Sequence, residues 1–253
     1  MLLEGKLALV TGASMPKGIG KHAALTLAKQ GADVVVTGFH HMEGAVALAE
    51  EIKALGRKAM AVRMDATVAA DVAKGFAAIK AELGPVDIVV NNAALMGHNI
   101  SIAKTTTEEW DYEVKLCLNS AFYCIKQAWP DMCAKKWGRI VNMTSVAGVL
   151  GGAGQTSYGA AKAGLIALAK SAALEGARFN ITANSVLIGI CATDGYDLLP
   201  EPVRQAVEKK TVFRRPASPQ EIADAIAYLC SDSAAYMTGA AMNMMGGLDL
   251  FVF

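Results

Sequence analysis

A hydroxyl, a phenol and an ammonium stand at spacings that could do proton chemistry: Ser145, then Tyr158 thirteen residues on, then Lys162 four further. Four residues is about one helical turn, so Lys162 and Tyr158 share a face and the ammonium lies near the phenol. A free phenol has a pKa of about 10, and a neighbouring cation favours the phenolate, which makes a tyrosine a usable acid or base. Ser145 ends a β-branched run and can hydrogen-bond the same substrate oxygen. Alone, Tyr-x-x-x-Lys reads better as a solvated surface pair, so the assignment rests on its surroundings.

A glycine-rich turn is the second constellation. Thr11-Gly12-Ala13-Ser14-Met15-Pro16-Lys17-Gly18-Ile19-Gly20 follows one apolar run and opens a helix. Glycines there let the backbone turn tightly and approach a pyrophosphate, while the helix N-terminus offers free N–H groups and the positive end of its dipole. Such a turn can also be plain punctuation, but its place after the first strand of an alternating chain favours dinucleotide binding.

That alternation positions both groups. Leu7–Val10, Val34–Thr37, Ala59–Met64, Val86–Val90, Arg139–Met143, Thr182–Leu187 and Ala240–Met245 read as strands. Gly20–Gln30, Glu43–Leu55, Val68–Leu83, Thr107–Lys135, Ser157–Ala177 and Gln220–Leu229 read as helices between them. Strands separated by helices must be parallel, and their continuous apolar character requires helices on both faces. The expected architecture is a single α/β domain over 1–253, a Rossmann-type doubly wound sheet of about seven strands. Residues 190–217 break the rhythm with Pro200, Pro202 and Pro216, and are expected to cover a ligand at the carboxyl edge of the sheet. The apolar tail Leu248–Phe253 is expected to pack in a subunit interface or back onto the fold.

Composition narrows the partners. Of 253 residues 53% are hydrophobic, and 24 basic side chains oppose 23 acidic ones, which fits a well-cored globular protein and gives no field for gathering nucleic acid. No apolar run reaches the roughly 18 residues of a membrane helix. The start, Met1-Leu2-Leu3-Glu4-Gly5-Lys6, lacks a secretory pattern, so a cytoplasmic location is expected. Cys117, Cys124, Cys133, Cys191 and Cys230 form no C-x-x-C pair and are expected as reduced thiols. With His22, His40, His41 and His98 they make no metal-ligand spacing, and no metal is expected.

In this order, the glycine turn, Asp65, Asn91-Asn92-Ala93-Ala94, Ser145, Tyr158-Gly159-Ala160-Ala161-Lys162 and Tyr236-Met237-Thr238-Gly239 resemble the short-chain dehydrogenase/reductase family over essentially the whole chain. The resemblance implies an oxidoreductase that interconverts a ketone or aldehyde with its alcohol. Tyr158 is then the general acid/base, Ser145 positions the oxygen, and Lys162 assists Tyr158 and holds the nicotinamide ribose. It implies cofactor contacts from Gly12, Ser14, Lys17, Gly18, Ile19, Gly20, His40, Asp65, Ala66, Asn92, Ala93, Ile190 and Thr193, besides Tyr158 and Lys162. NADP(H) is preferred over NAD(H): Gly38 stands where NAD-preferring relatives carry an aspartate, and Lys17 matches a basic position of NADP-preferring ones. Leu95, Met96, Val146, Leu150, Gln155, Cys191 and the segment Tyr196–Leu199 are expected to line a mostly apolar pocket, suited to hydrophobic carbonyl compounds, acyl thioesters included. Relatives are commonly dimers or tetramers, so a homo-oligomer is expected, joined through the helices of Trp110–Lys135 and Tyr158–Ala177.

Departures from the family pattern matter. Five residues separate Gly12 from Gly18, a longer loop than most relatives have. Divergent enoyl reductases share that loop length but set their tyrosine and lysine further apart, so carbonyl chemistry is favoured. Some polyol or sugar dehydrogenases also resemble the loop. Counting seven residues from Trp110 puts Cys117 where relatives place a proton-relay asparagine. Asn119, about 200° around an ideal helix, cannot substitute without a kink. A slower enzyme or a differently routed proton is implied. Ile188 stands where relatives carry proline, which places the contacts from Ile190 and Thr193 less securely, while Ala94 and Met245 depart at positions that matter more for packing. A catalytically weak nucleotide-binding regulatory protein is the alternative of another class.

Overall fold

A strand whose successive residues are all apolar must be covered on both sides, and the computed structural model, which describes residues 2–95 and 99–250, covers them so. The seven parallel strands are β1 (Leu7–Val10), β2 (Asp33–Gly38), β3 (Ala59–Arg63), β4 (Ile88–Asn91), β5 (Gly138–Ser145), β6 (Ile181–Ile188) and β7 (Ala241–Met244). They form one sheet in the order β3-β2-β1-β4-β5-β6-β7. Alternate residues feed two separate cores. Ala8, Val10, Val34, Val36, Ile88 and Val90 pack with α1 (Ile19–Lys29), α2 (Met42–Ala54) and the last helix, Pro219–Cys230. Leu7, Leu9, Val35, Val89 and Ile140 pack on the other face, against α3 (Ala69–Glu82) and two later helices. The chain reverses direction in the sheet between β3 and β4, so the carboxyl ends of β1 and β4 flank a crevice.

The expected single helix over Thr107–Lys135 is two helices. α4 (Thr107–Val114) runs into a π-turn at Lys115–Asn119 and then α5 (Ser120–Lys135). A π-turn accommodates an extra residue and rotates the next helix about the axis, and Cys117 sits buried inside this one. After β5 come the short α6 (Ala147–Leu150) and the long α7 (Thr156–Gly176). After β6 come α8 (Asp194–Asp197), α9 (Glu201–Glu208) and α10 (Pro219–Cys230). The ends of the 190–217 segment are tied by a parallel bridge between Cys191 and Ala217, with the Ala217 N–H donating to the Ile190 carbonyl at 3.0 Å. Among the described residues no helix is long and apolar enough to cross a membrane. Met96 and the end of the apolar tail, Phe251–Phe253, lie outside the described residues.

α10 shows how local sequence places an element. Ser218 accepts the Glu221 N–H, Glu221 returns a carboxylate to the Ser218 N–H at 2.7 Å, and Pro219 opens the first turn. Arg215 grips the same carboxylate at 2.7 and 2.8 Å. Arg215, then the Ser218 N–H, hold the Glu221 carboxyl down at about 2 from an ordinary 4.5. A carboxyl depressed in the folded state contributes stability above its unfolded pKa and loses it as pH falls toward the folded value. We therefore predict that Ser218→Ala costs about 1 kcal/mol in urea unfolding at pH 7. Glu221→Gln should flatten the acid limb of stability between pH 4.5 and about 2, a limb that stays steep if this cap is idle.

Candidate active site

β5 delivers Ser145 to the carboxyl edge of the sheet. Ser145 pairs in register with Ile188 of β6, and its Oγ accepts the Ala147 N–H at 3.2 Å, so the chain turns directly into α6. α6 then lies almost backbone to backbone on α7. A Cβ on Gly148 would fall 2.7 Å from the Lys162 carbonyl carbon, and one on Gly159 would fall 3.0 Å from the Ala147 carbonyl oxygen. These two glycines bring the segment after Ser145 against the turn that carries Tyr158 and Lys162. Lys162 is buried, with its Nζ donating to the Met143 carbonyl of β5 at 2.8 Å and lying 5.4 Å from the Tyr158 ring centroid. Tyr158 itself is half-buried. The structure thus gathers the three sequence candidates at the end of one strand, with the ammonium anchored beneath the phenol.

The glycine turn is held from β4. Thr11 Oγ1 accepts the N–H groups of Asn92 and Ala93, each at 3.0 Å, and Asn92 Nδ2 donates to the carbonyls of Thr11 and Gly12 at 2.8 and 3.0 Å. Gly12 has φ +64°, and a Cβ there would fall 2.8 Å from the Ala93 Cα. A side chain at Gly20 would strike Asn92 Nδ2 at 2.6 Å. Gly18 begins α1 without a side-chain cap, and no acidic residue stands in its first turn. The first N–H groups of α1 at Ile19 and Gly20 have no intrahelical acceptor, which suits an anion such as a pyrophosphate. Ser14 leans on α2, where Gly44 has no side chain to obstruct its carbonyl.

Lys17 is engaged differently from the expected phosphate contact. Its backbone N–H donates to Asp194 at 2.9 Å and its ammonium pairs with Asp197 at 2.5 Å, so the extended loop is tied to α8 of the 190–217 segment. Asp197, then the charge of Asp194, pushes the Lys17 pKa up. Near the end of β2 the unpaired cation is one that sequence reading passed over. Arg63 faces Gly38 in the β2–β3 register, its guanidinium lies 4.5 Å from the Phe39 ring centroid, and it joins no ion pair among the described residues. Its signal was available: parallel pairing puts the last residue of β3 beside the last residue of β2. His40 is exposed, edge-on to Phe39 at 4.6 Å. Asp65 spends one carboxylate oxygen on Thr67, accepting its N–H at 2.9 Å and its hydroxyl at 2.7 Å, and Ala66 is buried.

The expected pocket residues divide. Leu95 and Leu150 are exposed, while Val146 and Gln155 are half-buried near Ser145 and Tyr158. Cys191 packs into the core, where burial pushes its thiol up to about 12. Tyr196 is also buried, and its hydroxyl donates to Glu208 of α9, an internal brace of the 190–217 segment. Burial first, and then Glu208, raises its pKa to about 12. Ile190 lines a shallow hollow with Thr211, Phe213 and Met245, and Thr193 precedes α8 without capping it by its side chain. Cys117 is buried inside the π-turn. Burial raises its pKa against the opposing influence of the Lys162 charge and the Leu95 backbone N–H, with Glu113 adding to the rise.

Comparison with known proteins places the chain among reductases and dehydrogenases. A family model described as enoyl-(acyl carrier protein) reductase matches residues 12–249. The chain is 40% identical over 248 residues to the 3-oxoacyl-(acyl-carrier-protein) reductase FabG of Escherichia coli K12, covering 98% of this chain and 99% of that one. It is 39% identical over 247 residues to nodulation protein G of Azospirillum brasilense, with 98% and 99% covered. A crystal structure provisionally described as a gluconate dehydrogenase from Agrobacterium tumefaciens superposes with a TM-score of 0.93 at 29% identity, covering 99% of this chain and 98% of that one.

The α6–α7 contact gives a direct test of how Ser145 is placed. Gly148→Ala should force α6 off Lys162 and cost about 1–3 kcal/mol in denaturant unfolding. A variant as stable as the parent would show that the contact does not set this spacing.

Proposed function

The chain belongs to the short-chain dehydrogenase/reductase family and is an oxidoreductase of CH–OH and carbonyl groups, and on that premise we propose that it reduces hydrophobic ketones, 3-oxoacyl thioesters foremost, with NADPH. The observation that carries the reading is the buried Lys162 ammonium, pinned to the Met143 carbonyl beneath the Tyr158 ring, on the strand that ends in Ser145. The glycine turn and the uncapped, acid-free start of α1 fit the phosphates of a dinucleotide. Held by the glycine turn and Lys162, a nicotinamide would supply the hydride that the carbonyl carbon needs. Tyr158 gives its proton to the carbonyl oxygen, Ser145 holds that oxygen by a hydrogen bond, and the Lys162 charge stabilises the phenolate left behind.

The substrate class is drawn from the apolar surroundings, the exposed Leu95 and the half-buried Val146 among them, and from the E. coli relative named as a 3-oxoacyl reductase. The close Tyr158–Lys162 spacing supports carbonyl over enoyl reduction. Oxidation of a sugar acid or polyol is the second reading, favoured by the likeness to the gluconate dehydrogenase structure. NADP(H) preference rests on Gly38, which carries no carboxylate to repel a 2′-phosphate, and on the Arg63 guanidinium beside it, in no ion pair among the described residues, with His40 as a further donor. Assembly as a dimer or tetramer through α4, α5 and α7 is supported by the exposed Trp110, Phe122 and Leu174 on those helices.

A panel of ketones and acetoacetyl thioesters with NADPH, against gluconate and polyols with NADP+ or NAD+, tests the reading. Reduction of the thioester is expected. Turnover of sugar acids alone favours the second reading, and nucleotide binding without any turnover overturns both. Tyr158→Phe should lower turnover by at least about a hundredfold while the affinity for NADPH is nearly kept. Arg63→Glu should reduce the NADPH-to-NADH preference more than Lys17→Glu does, since Lys17 already has Asp197. An unchanged ratio in the Arg63 variant would remove Arg63 from the phosphate site.

A further inference from the structure

We infer that the hollow at the carboxyl ends of β6 and β7 holds the distal end of the substrate's alkyl chain, so that the enzyme favours medium-chain over short-chain 3-oxoacyl thioesters; this rests on the thioester-reduction reading above. The hollow has a volume of about 200 Å³, and Ile190, Phe213, Ala217, Met244 and Met245 supply its apolar lining. Its place relative to the chemistry follows from strand register. Ser145 pairs with Ile188, and Ile188 with Met244, so the three form one row across the carboxyl edge of the sheet. Residues paired in parallel register project to the same face, and Met244 lies two strand spacings, roughly 10 Å, from Ser145. Ile190, two residues past Ile188, borders the hollow. Between them a Cβ on Gly189 would fall 2.8 Å from the Met245 carbonyl oxygen, so the chain leaving β6 lies directly on the chain leaving β7.

The polar groups of the lining are already engaged. Arg215 and Glu221 hold each other at 2.7 and 2.8 Å. The Thr211 hydroxyl donates to the Glu208 carbonyl at 2.9 Å. Asn243 donates its amide to Asp249 at 2.8 Å and accepts the Met245 N–H at 2.9 Å. A sugar acid or a phosphate entering here would shed water and find these partners taken, a costly exchange. An alkyl chain gains by the same transfer. The amides of a thioester arm are disfavoured like any polar group, so the arm leaves the site by another path and the acyl tail takes this one. Methionine side chains are unbranched and flexible, so Met244 and Met245 can close on tails of differing length. An alkyl chain of ordinary carbon–carbon bonds advances roughly 1.25 Å per carbon, so the carbons beyond the reacting carbonyl of a 3-oxodecanoyl group span roughly 9 Å. The lone methyl of an acetoacetyl group falls far short of the hollow.

The test is kcat/KM with NADPH over N-acetylcysteamine thioesters from acetoacetyl to 3-oxodecanoyl, each below its micelle-forming concentration. A methylene moved from water into an apolar site is worth up to about fourfold. The parent should change little between the acetoacetyl and 3-oxohexanoyl substrates, then gain at least about tenfold by 3-oxodecanoyl. Phe213→Asp puts a carboxylate into the lining at a residue 69% exposed, where the fold tolerates it. Met244→Trp fills the hollow from the strand side. Both variants should lose the gain with chain length and keep the acetoacetyl value within about twofold, because only binding energy from the tail is removed. Active sites are counted by NADPH titration, so misfolded chains do not enter the comparison, and Phe213→Asp alone decides if Met244→Trp does not fold. A parent that reduces the acetoacetyl thioester without gain from longer chains, a gain that survives in either variant, or a loss shared equally by every chain length overturns this inference and leaves the thioester reading standing. A parent that reduces none of the series overturns that reading, and this inference with it.

Discussion

A single ammonium under a single phenol organises the reactive edge of this molecule. Lys162 gives up bulk water to sit at 3% exposure, a position that only a good acceptor can support, and the Met143 carbonyl at 2.8 Å supplies one. That carbonyl belongs to a strand, β5, paired on both sides by β4 and β6. The position of the charge is therefore inherited from the rigid part of the sheet and not from a loop. Tyr158 is placed with it because it is one turn away on the same helix, and Ser145 because it lies two residues beyond Met143 on the same strand.

Backbone proximity then does what side chains cannot. Gly148 and Gly159 let α6 and α7 approach until a methyl group would not fit, and Gly12 and Gly20 let the first turn close on Ala93 and Asn92. In each case a residue with no side chain faces a peptide group or a side-chain amide. Asn92 is the counterpart on the polar side: one amide satisfies two carbonyls of the glycine turn, so the turn is stiffened from the neighbouring strand before any ligand arrives. Ser145 and the glycine turn are thus placed by the same central strands, β1, β4 and β5, whose alternation was evident from apolar periodicity.

Legibility in the sequence tracks the range of the interactions involved. Strands such as Leu7–Val10 and the helix carrying Tyr158 depend on local pattern, and they lie where the apolar runs put them, to within a residue or two. The π-turn at Lys115–Asn119 was not read from the sequence, because one extra residue shifts the helical phase only once, within a stretch too short to show it. Arg63 was missed because its significance is lateral: it matters through its register with Gly38, a contact between strands whose residues are far apart in sequence. Tyr196 shows the converse. Its type and place suggested a substrate contact, but Glu208, twelve residues later, takes its hydroxyl.

Lys17 illustrates how one charge is claimed by two chemistries. A lysine in a glycine turn is close enough to a dinucleotide phosphate to suggest a phosphate ligand, yet here Asp197 holds its ammonium and Asp194 its backbone N–H. Both partners are substantially in water, where an ion pair is screened and costs side-chain freedom, so the bond ties the 190–217 segment only weakly to the glycine turn. The segment itself is braced internally by the Cys191–Ala217 bridge and by the Tyr196–Glu208 hydrogen bond. The Lys17 contact, by comparison, is a link between segment and turn made of exposed charges. An anion arriving at the start of α1 would compete with Asp194 and Asp197 for the same donors.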